Sequence, residues 1–95
     1  MVLEVAILDV KIGEEELFEK TFLEAEKIIS IMSGYISHEL QKCIENNSHY
    51  LLLVKWETLE DHKIGFRQSK EYQRWKDLLH HFYDPFPTVE HFKII

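Results

Sequence analysis

Six histidines in 95 residues carry the most chemistry in this chain. An imidazole with an ordinary pKa of about 6.5 is mostly neutral near pH 7 and ready to take a proton. His38 stands on an extended segment with Ile36 and Leu40 beside it, an unusual place for an idle imidazole. It is a candidate base, or else a strand histidine that is hydrogen-bonded across an interface. His62 and Arg67 bracket a short segment that contains Phe66. The guanidinium fork suits a carboxylate or phenolate, or an ion pair with Glu60, Asp61 or Glu71 that fastens a helix break. His91 lies after Pro87 near the end of the chain, where it could join a pocket with His38 or bond at an interface. Trp56, Phe66 and Trp75 are either core residues or walls for an aromatic ligand. Trp56 stands out among them because it ends a strand, where pockets often open.

Other chemistries find less support. No H-x-x-x-H or C-x-x-C spacing occurs, and adjacent His80 and His81 point to different sides of a helix, so no metal site is expected. Cys43 has no neighbouring base or helix start to lower its pKa. No Ser-His-Asp spacing suggests a hydrolase. Lys plus Arg number 11 against 17 Asp plus Glu, for a net charge of -6, without a basic run for a phosphate backbone. Nucleic acid is therefore not an expected partner. A single cysteine, no charged apolar leader and no 18-residue apolar run predict a soluble cytoplasmic protein with no membrane association.

The elements that must position these groups can be read from the patterning. Val2 to Val10 alternates as a strand with apolar groups on both faces, interrupted by Glu4 and Asp9. Glu14, Glu15 and Glu16 open a helix whose apolar stripe runs through Leu17, Phe18, Thr21, Phe22, Ala25, Ile28, Ile29 and Met32, ended by Ser33-Gly34. Tyr35 to Ile44 and His49 to Trp56 read as a hairpin around Glu45-Asn46-Asn47-Ser48. This hairpin is the expected wall of any pocket. Thr58 and Asp61 have capping-box spacing, with Gly65 near the end of the short helix they start. Ser69 is a second cap, before a stripe of Tyr72, Trp75, Leu78, Leu79 and Phe82. Asp84-Pro85-Phe86-Pro87 ends that helix, and Val89 to Ile95 reads as the last strand.

The order strand, helix, strand, strand, broken helix, strand is the split β-α-β arrangement, an α+β fold with an antiparallel sheet and helices on one face. One domain covers residues 1–95. Val2, Ala6, Leu8 and the aromatic-rich hairpin suggest that the second face is covered too, by a homodimer packing sheet on sheet.

The run W-E-T-L-E-D-H-K-I-G-F-R-Q-S-K-E-Y-Q-R-W from Trp56 to Trp75, with F-P-T-V-E-H-F from Phe86 to Phe92 and Y-I-S-H-E-L from Tyr35 to Leu40, resembles the antibiotic biosynthesis monooxygenase (ABM) domain family. The resemblance covers nearly the whole chain. It implies a ferredoxin-like fold whose dimers form an α/β barrel. Some members oxidise phenolic or quinol polyketides with dioxygen, without metal or flavin; others cleave haem, and many have no established activity. The haem-degrading branch uses an Asn on the first strand, a Trp ending the third and a His in the last helix. Here the first strand has no Asn, Trp56 fits the Trp, and Trp75 and Lys76 stand where the His is expected. His80 or His81 could reach iron only from a turn later.

The resemblance therefore implies a monooxygenase needing no cofactor and acting on a small aromatic phenol or quinol. A non-catalytic binding or stress-response protein of the same fold is the alternative. Such a reaction needs a base for the phenolic proton and apolar walls that exclude water. The catalytic expectation is His38 with Arg67, and the ring would rest against Trp56, His62, Phe66, Trp75 and His91.

Overall fold

A computed structural model describes every residue from Met1 to Ile95. The strands are β1 (Val2–Asp9), β2 (Tyr35–Lys42), β3 (His49–Trp56) and β4 (Thr88–Phe92). The helices are α1 (Glu15–Ile29) and α2 (Lys70–Leu79), with a π-helical turn at Asp61–Phe66 and a 3-10 turn at His80–Phe82. The sheet order is β2-β3-β1-β4 and every pairing is antiparallel. This is the expected α+β ferredoxin-like arrangement. The four strands form an open sheet that is not closed into a barrel within one chain.

α1 buries Phe18, Phe22, Ala25, Ile28 and Ile29 against the sheet. Its stripe is narrower than the patterning suggests, for Leu17 is 58% exposed. The helix ends at Ile29, before Met32, and the chain then turns until Gly34 takes a φ of +83°. A Cβ on Gly34 would lie 2.1 Å from the Asp61 carboxyl carbon, so glycine is required there by both conformation and space. Asp61 itself closes the expected capping box. Its Oδ2 accepts from the Thr58 N–H and hydroxyl at 3.2 and 2.9 Å, and the Thr58 hydroxyl oxygen accepts from the Asp61 N–H at 3.1 Å. Ser69 caps α2 as predicted, accepting from the Tyr72 N–H at 3.1 Å.

Two strands are shorter than their patterns. β2 stops at Lys42 and leaves Ile44 exposed, since Asn46 folds the connection into an Asx turn through the Ser48 N–H. β4 stops at Phe92, which pairs with Leu3, so only Val2 of β1 lies beyond for Lys93 to Ile95.

Register decides which side chains meet the helices. Ala6, Leu8, Tyr50, Leu52, Val54 and Trp56 are buried beneath them, with Phe18, Phe66 and Phe82 filling the layer between. Burial of each such phenylalanine stabilises the fold by about 1.5–3 kcal/mol. The uncovered face instead carries Leu3, Val5 and Ile7 opposite Leu51 and Leu53, with Phe92 next to Leu3. Ala6 and Leu8 thus belong to the covered face, correcting the assignment of Val2, Ala6 and Leu8 to the face in need of a second cover. No helix is long and apolar enough to cross a membrane.

Candidate active site

Glu4 is the polar residue around which the interior is built. It sits on the helix-covered face of β1, only 6% exposed, where its neighbours Val54 and His91 face it across β3 and β4. A bare carboxylate in such a place would be expelled, so partners must hold it. Trp56 donates its indole N–H to Glu4 Oε1 at 3.0 Å. His62, 3% exposed, brings Nε2 to 3.3 Å from the same oxygen and stacks its ring on Trp56 at 5.3 Å and 20°. The other nitrogen of His62, Nδ1, lies 2.8 Å from His91 Nε2. With Glu4 ionised, one proton assignment satisfies the row. His91 Nε2–H donates to His62 Nδ1, and the His62 Nε2 proton faces the Glu4 carboxylate in a close polar contact.

Burial raises the Glu4 pKa, opposed by the indole bond and the charge of Arg67. Burial, followed by the charges of Arg67, His91 and Lys63, depresses His62 to about 3. His91 is lowered by the same burial and by Arg67 and Lys63. At neutral pH the His62 contact to Glu4 is therefore that of a neutral ring and no ion pair.

The π-helical turn explains why residues from one short segment face the same space. The Arg67 N–H bonds to the His62 carbonyl five residues back, at 3.1 Å. This wider turn keeps His62, Phe66 and Arg67 on one side. They border a cavity of about 270 Å³ between β1 and α2. Ala6, Leu8 and Leu52 form its floor, and Tyr72 and Trp75 its wall on α2. Glu4 and His62 contribute the polar end, beside an exposed Arg67. Arg67 makes no ion pair with Glu60, Asp61 or Glu71. Oε1 of Glu4 takes the Trp56 hydrogen bond and the His62 contact, leaving Oε2 without a protein hydrogen bond.

Of the residues expected to form a site, the structure thus brings His62, Phe66, Arg67 and Trp75 to one cavity. Trp56 lies behind it, fully buried, and His91 is one hydrogen bond further on. His38 is elsewhere. It sits on edge strand β2, with Nδ1 2.5 Å from the Tyr35 hydroxyl and Nε2 2.9 Å from Glu26 Oε1. A bulge between Tyr35 and Ser37 turns Tyr35 to the same face as His38, although strict alternation separates them. His38 borders a separate hollow with Glu19, Phe22 and Tyr50. Because β2 and β4 are opposite edges of the sheet, the expected shared pocket of His38 and His91 does not form. The main cavity takes only Leu52 from the hairpin, correcting its expected place against β2 and β3.

Glu4 itself escaped sequence reasoning. Its signal was a carboxylate on the strand face shared by Val2, Ala6 and Leu8. No group of three or more His, Cys, Asp or Glu side chains is arranged to hold a metal ion.

The ferredoxin-like fold that carries this cavity is shared by solved structures the chain matches. Residues 1–78 match the antibiotic biosynthesis monooxygenase family, and the chain belongs to that family. It is 62% identical to the uncharacterized protein YczJ of Bacillus subtilis, over 98% of both chains. A crystal structure of a Bordetella bronchiseptica protein, assigned to the antibiotic biosynthesis monooxygenases, superposes with a TM-score of 0.94 at 31% identity, covering 99% of this chain and 96% of that one. SnoaB of Streptomyces nogalater, a cofactor-independent oxygenase, shares the fold at a TM-score of 0.80 and 18% identity, over 99% of this chain and 92% of its own.

Proposed function

We propose that this protein is a homodimeric, cofactor-independent monooxygenase that oxidises a small phenol or quinol with dioxygen. The observation that carries the reading is the buried Glu4 carboxylate, braced by Trp56 and His62, at one end of an apolar cavity beside an unpaired Arg67. This reading moves the base from His38, whose two nitrogens are both engaged outside that cavity, to Glu4 supported by His62.

Glu4 takes the substrate's hydroxyl proton, and Arg67 holds the phenolate that forms. Burial makes the carboxylate a stronger base than one in water, and the guanidinium makes the phenol a stronger acid. The electron-rich anion reduces dioxygen, and a ring carbon forms a bond to oxygen. Glu4 gives its proton to the peroxide anion so formed, and the O–O bond of the hydroperoxide then breaks as the same carbon gives up its hydrogen as a proton to the Glu4 carboxylate, yielding a quinone and hydroxide. A phenol and one dioxygen thus give one quinone and one water, with all four electrons supplied by the ring. Glu4 returns its proton to the departing hydroxide. The walls of Phe66 and Trp75 exclude water from these steps.

The uncovered face supports the dimer, for Leu3, Val5, Ile7, Leu51 and Leu53 form an apolar patch across β1 and β3. A two-fold contact of sheet on sheet buries it.

Oxygen uptake with a panel of one- and two-ring phenols and quinols tests the activity. Isotopically labelled dioxygen should place one labelled atom in the quinone, and Glu4→Gln should abolish uptake. Rings that bind without any uptake would make the protein a binding member of the same fold and end the enzymatic reading.

A further inference from the structure

His38 takes part in an arrangement that the reaction above leaves unused. With Glu26 ionised, the Tyr35 hydroxyl donates to His38 Nδ1 at 2.5 Å and His38 Nε2–H donates to Glu26 Oε1 at 2.9 Å. A phenol that loses an electron becomes a strong acid. With an imidazole already on its hydrogen, the electron and the proton leave together and no radical cation has to form. Burial raises the Tyr35 pKa, so the phenol holds its proton until it is oxidised.

Trp56 repeats the pattern. Its indole N–H donates to Glu4 Oε1 at 3.0 Å, and an oxidised indole is likewise an acid whose proton that carboxylate accepts. Tyr35 and Trp56 pair across β2 and β3, and their rings meet edge-on, 6.3 Å apart at 86°. On its other side Trp56 lies 5.3 Å from His62 and 5.8 Å from Phe66, the two rings between it and the cavity. Exposure rises along the row, from 0% at Trp56 to 14% for the His38 side chain and 34% for that of Glu26. One oxidisable ring thus stands behind the cavity and a second stands between it and water, each with its own base. Of the four tyrosines, only Tyr35 has both an imidazole on its hydroxyl and an indole against its ring.

We infer that Trp56 and Tyr35 form a one-electron relay, which quenches an oxidising radical in the cavity with an electron drawn from the side of the protein nearer water. The oxidant is a hydroperoxyl radical, left when dioxygen takes one electron from a bound ring anion, gains the proton that Glu4 holds and separates. Only this source rests on the monooxygenase reading. The radical takes an electron from Trp56 and becomes hydroperoxide anion, while the indole proton passes to Glu4. Tyr35 then gives an electron to the indolyl radical, which recovers its proton from Glu4, and the phenolic proton of Tyr35 passes to His38 Nδ1. The hydroperoxide anion takes a proton from water. The products are hydrogen peroxide, hydroxide, a neutral Tyr35 radical and a His38 imidazolium facing Glu26. One electron from an external thiolate, with return of the proton from His38, restores Tyr35.

Pulse radiolysis with azide tests the relay with no substrate bound, because the azide radical takes electrons from indoles in preference to phenols. Trp75→Phe leaves Trp56 as the sole indole. In that protein the indolyl absorbance should decay as a tyrosyl absorbance rises, at a rate independent of protein concentration. Adding Tyr35→Phe should remove the tyrosyl signal. Adding His38→Phe, which keeps a ring against Phe22, should slow the conversion about a hundredfold, the low end of what a positioned base contributes. Repeating both changes with Trp75 in place guards against a fold lost through Trp75→Phe, and there Tyr35→Phe should lower the tyrosyl yield. An indolyl that decays without a tyrosyl, a tyrosyl yield untouched by Tyr35→Phe, or a rate untouched by His38→Phe would overturn the relay. Conversion that depends on Tyr35 and His38, in a protein that consumes no oxygen with any phenol, would leave the relay standing and remove the monooxygenase reading as the source of its oxidant.

Discussion

Trp56 and His62 converge on a single oxygen atom, Oε1 of Glu4, from 3.0 and 3.3 Å, with their rings stacked. Removing the indole donor while keeping an aromatic ring isolates one arm of this arrangement. Trp56→Phe should cost about 1–3 kcal/mol, the penalty of leaving a buried acceptor short of a donor. It should also raise the Glu4 pKa further, since the indole bond opposes the effect of burial. Urea unfolding at pH 7 measures the first, and carboxyl chemical shifts against pH the second.

Acid should weaken the protein through His62. Its folded pKa of about 3 lies below the unfolded value of 6.5, so the unfolded chain binds the extra proton between these limits. Stability is full above pH 6.5 and declines as pH falls toward 3. Glu4 has the opposite sign, since its raised pKa weakens the fold as pH rises from 4.5 through the folded value. His62→Asn should flatten the acid side. The fall in urea midpoint between pH 7 and pH 4.5 should be smaller in the variant than in the unmodified chain.

Gly34→Ala should be among the costlier single-methyl additions. The positive φ alone costs about 1–2 kcal/mol for an L side chain. The new Cβ would also push Asp61 from its bonds to Thr58, adding about 1 kcal/mol for a lost cap. Pairing it with Asp61→Gly should cost less than the sum of the two single changes, because the second variant removes the carboxyl and the Cβ that stand 2.1 and 2.6 Å from the new Cβ. Thermal unfolding of the four proteins completes the cycle.

Arg67→Met should raise KM for a phenol at least tenfold by removing the charge that holds its anion. Arg67→Lys should recover only part of the loss, because an ammonium lacks the planar fork. Phenol-concentration dependence of oxygen uptake provides the comparison. An unchanged KM in both variants would remove Arg67 from the site.

Leu53→Glu should disrupt the association proposed for the bare sheet face. Leu53 pairs with Val5 at the centre of that patch, so a charge there faces apolar side chains. Sedimentation should report a monomer where the unmodified protein is a dimer, with far-ultraviolet dichroism unchanged.

The local devices were plain in the sequence. Thr58 with Asp61, and Ser69 with Tyr72, act over three residues, so their spacing states their bond. Hydrophobic alternation likewise exposed the strands. Glu4 was opaque because its partners lie far along the chain, Trp56 being 52 residues away. Only the order β2-β3-β1-β4 brings them together and carries the cavity away from the hairpin. Tyr35 joined His38 through one bulge, which a strict period of two cannot express. His62 and Arg67 came to one side through a π-helical turn, where an ordinary helical period places five residues on different faces.

The bulge in β2 also bears on how these chains avoid sticking together. A flat outer strand with free backbone groups invites a neighbour to add on and grow a fibre. β2 is irregular between Tyr35 and Ser37 and carries Glu39, Gln41 and Lys42, while the opposite border, β4, is five residues long. Both borders are poor templates for fibril growth. In the dimer proposed above, chains meet instead through the broad side of the sheet, where a two-fold contact closes on itself and stops.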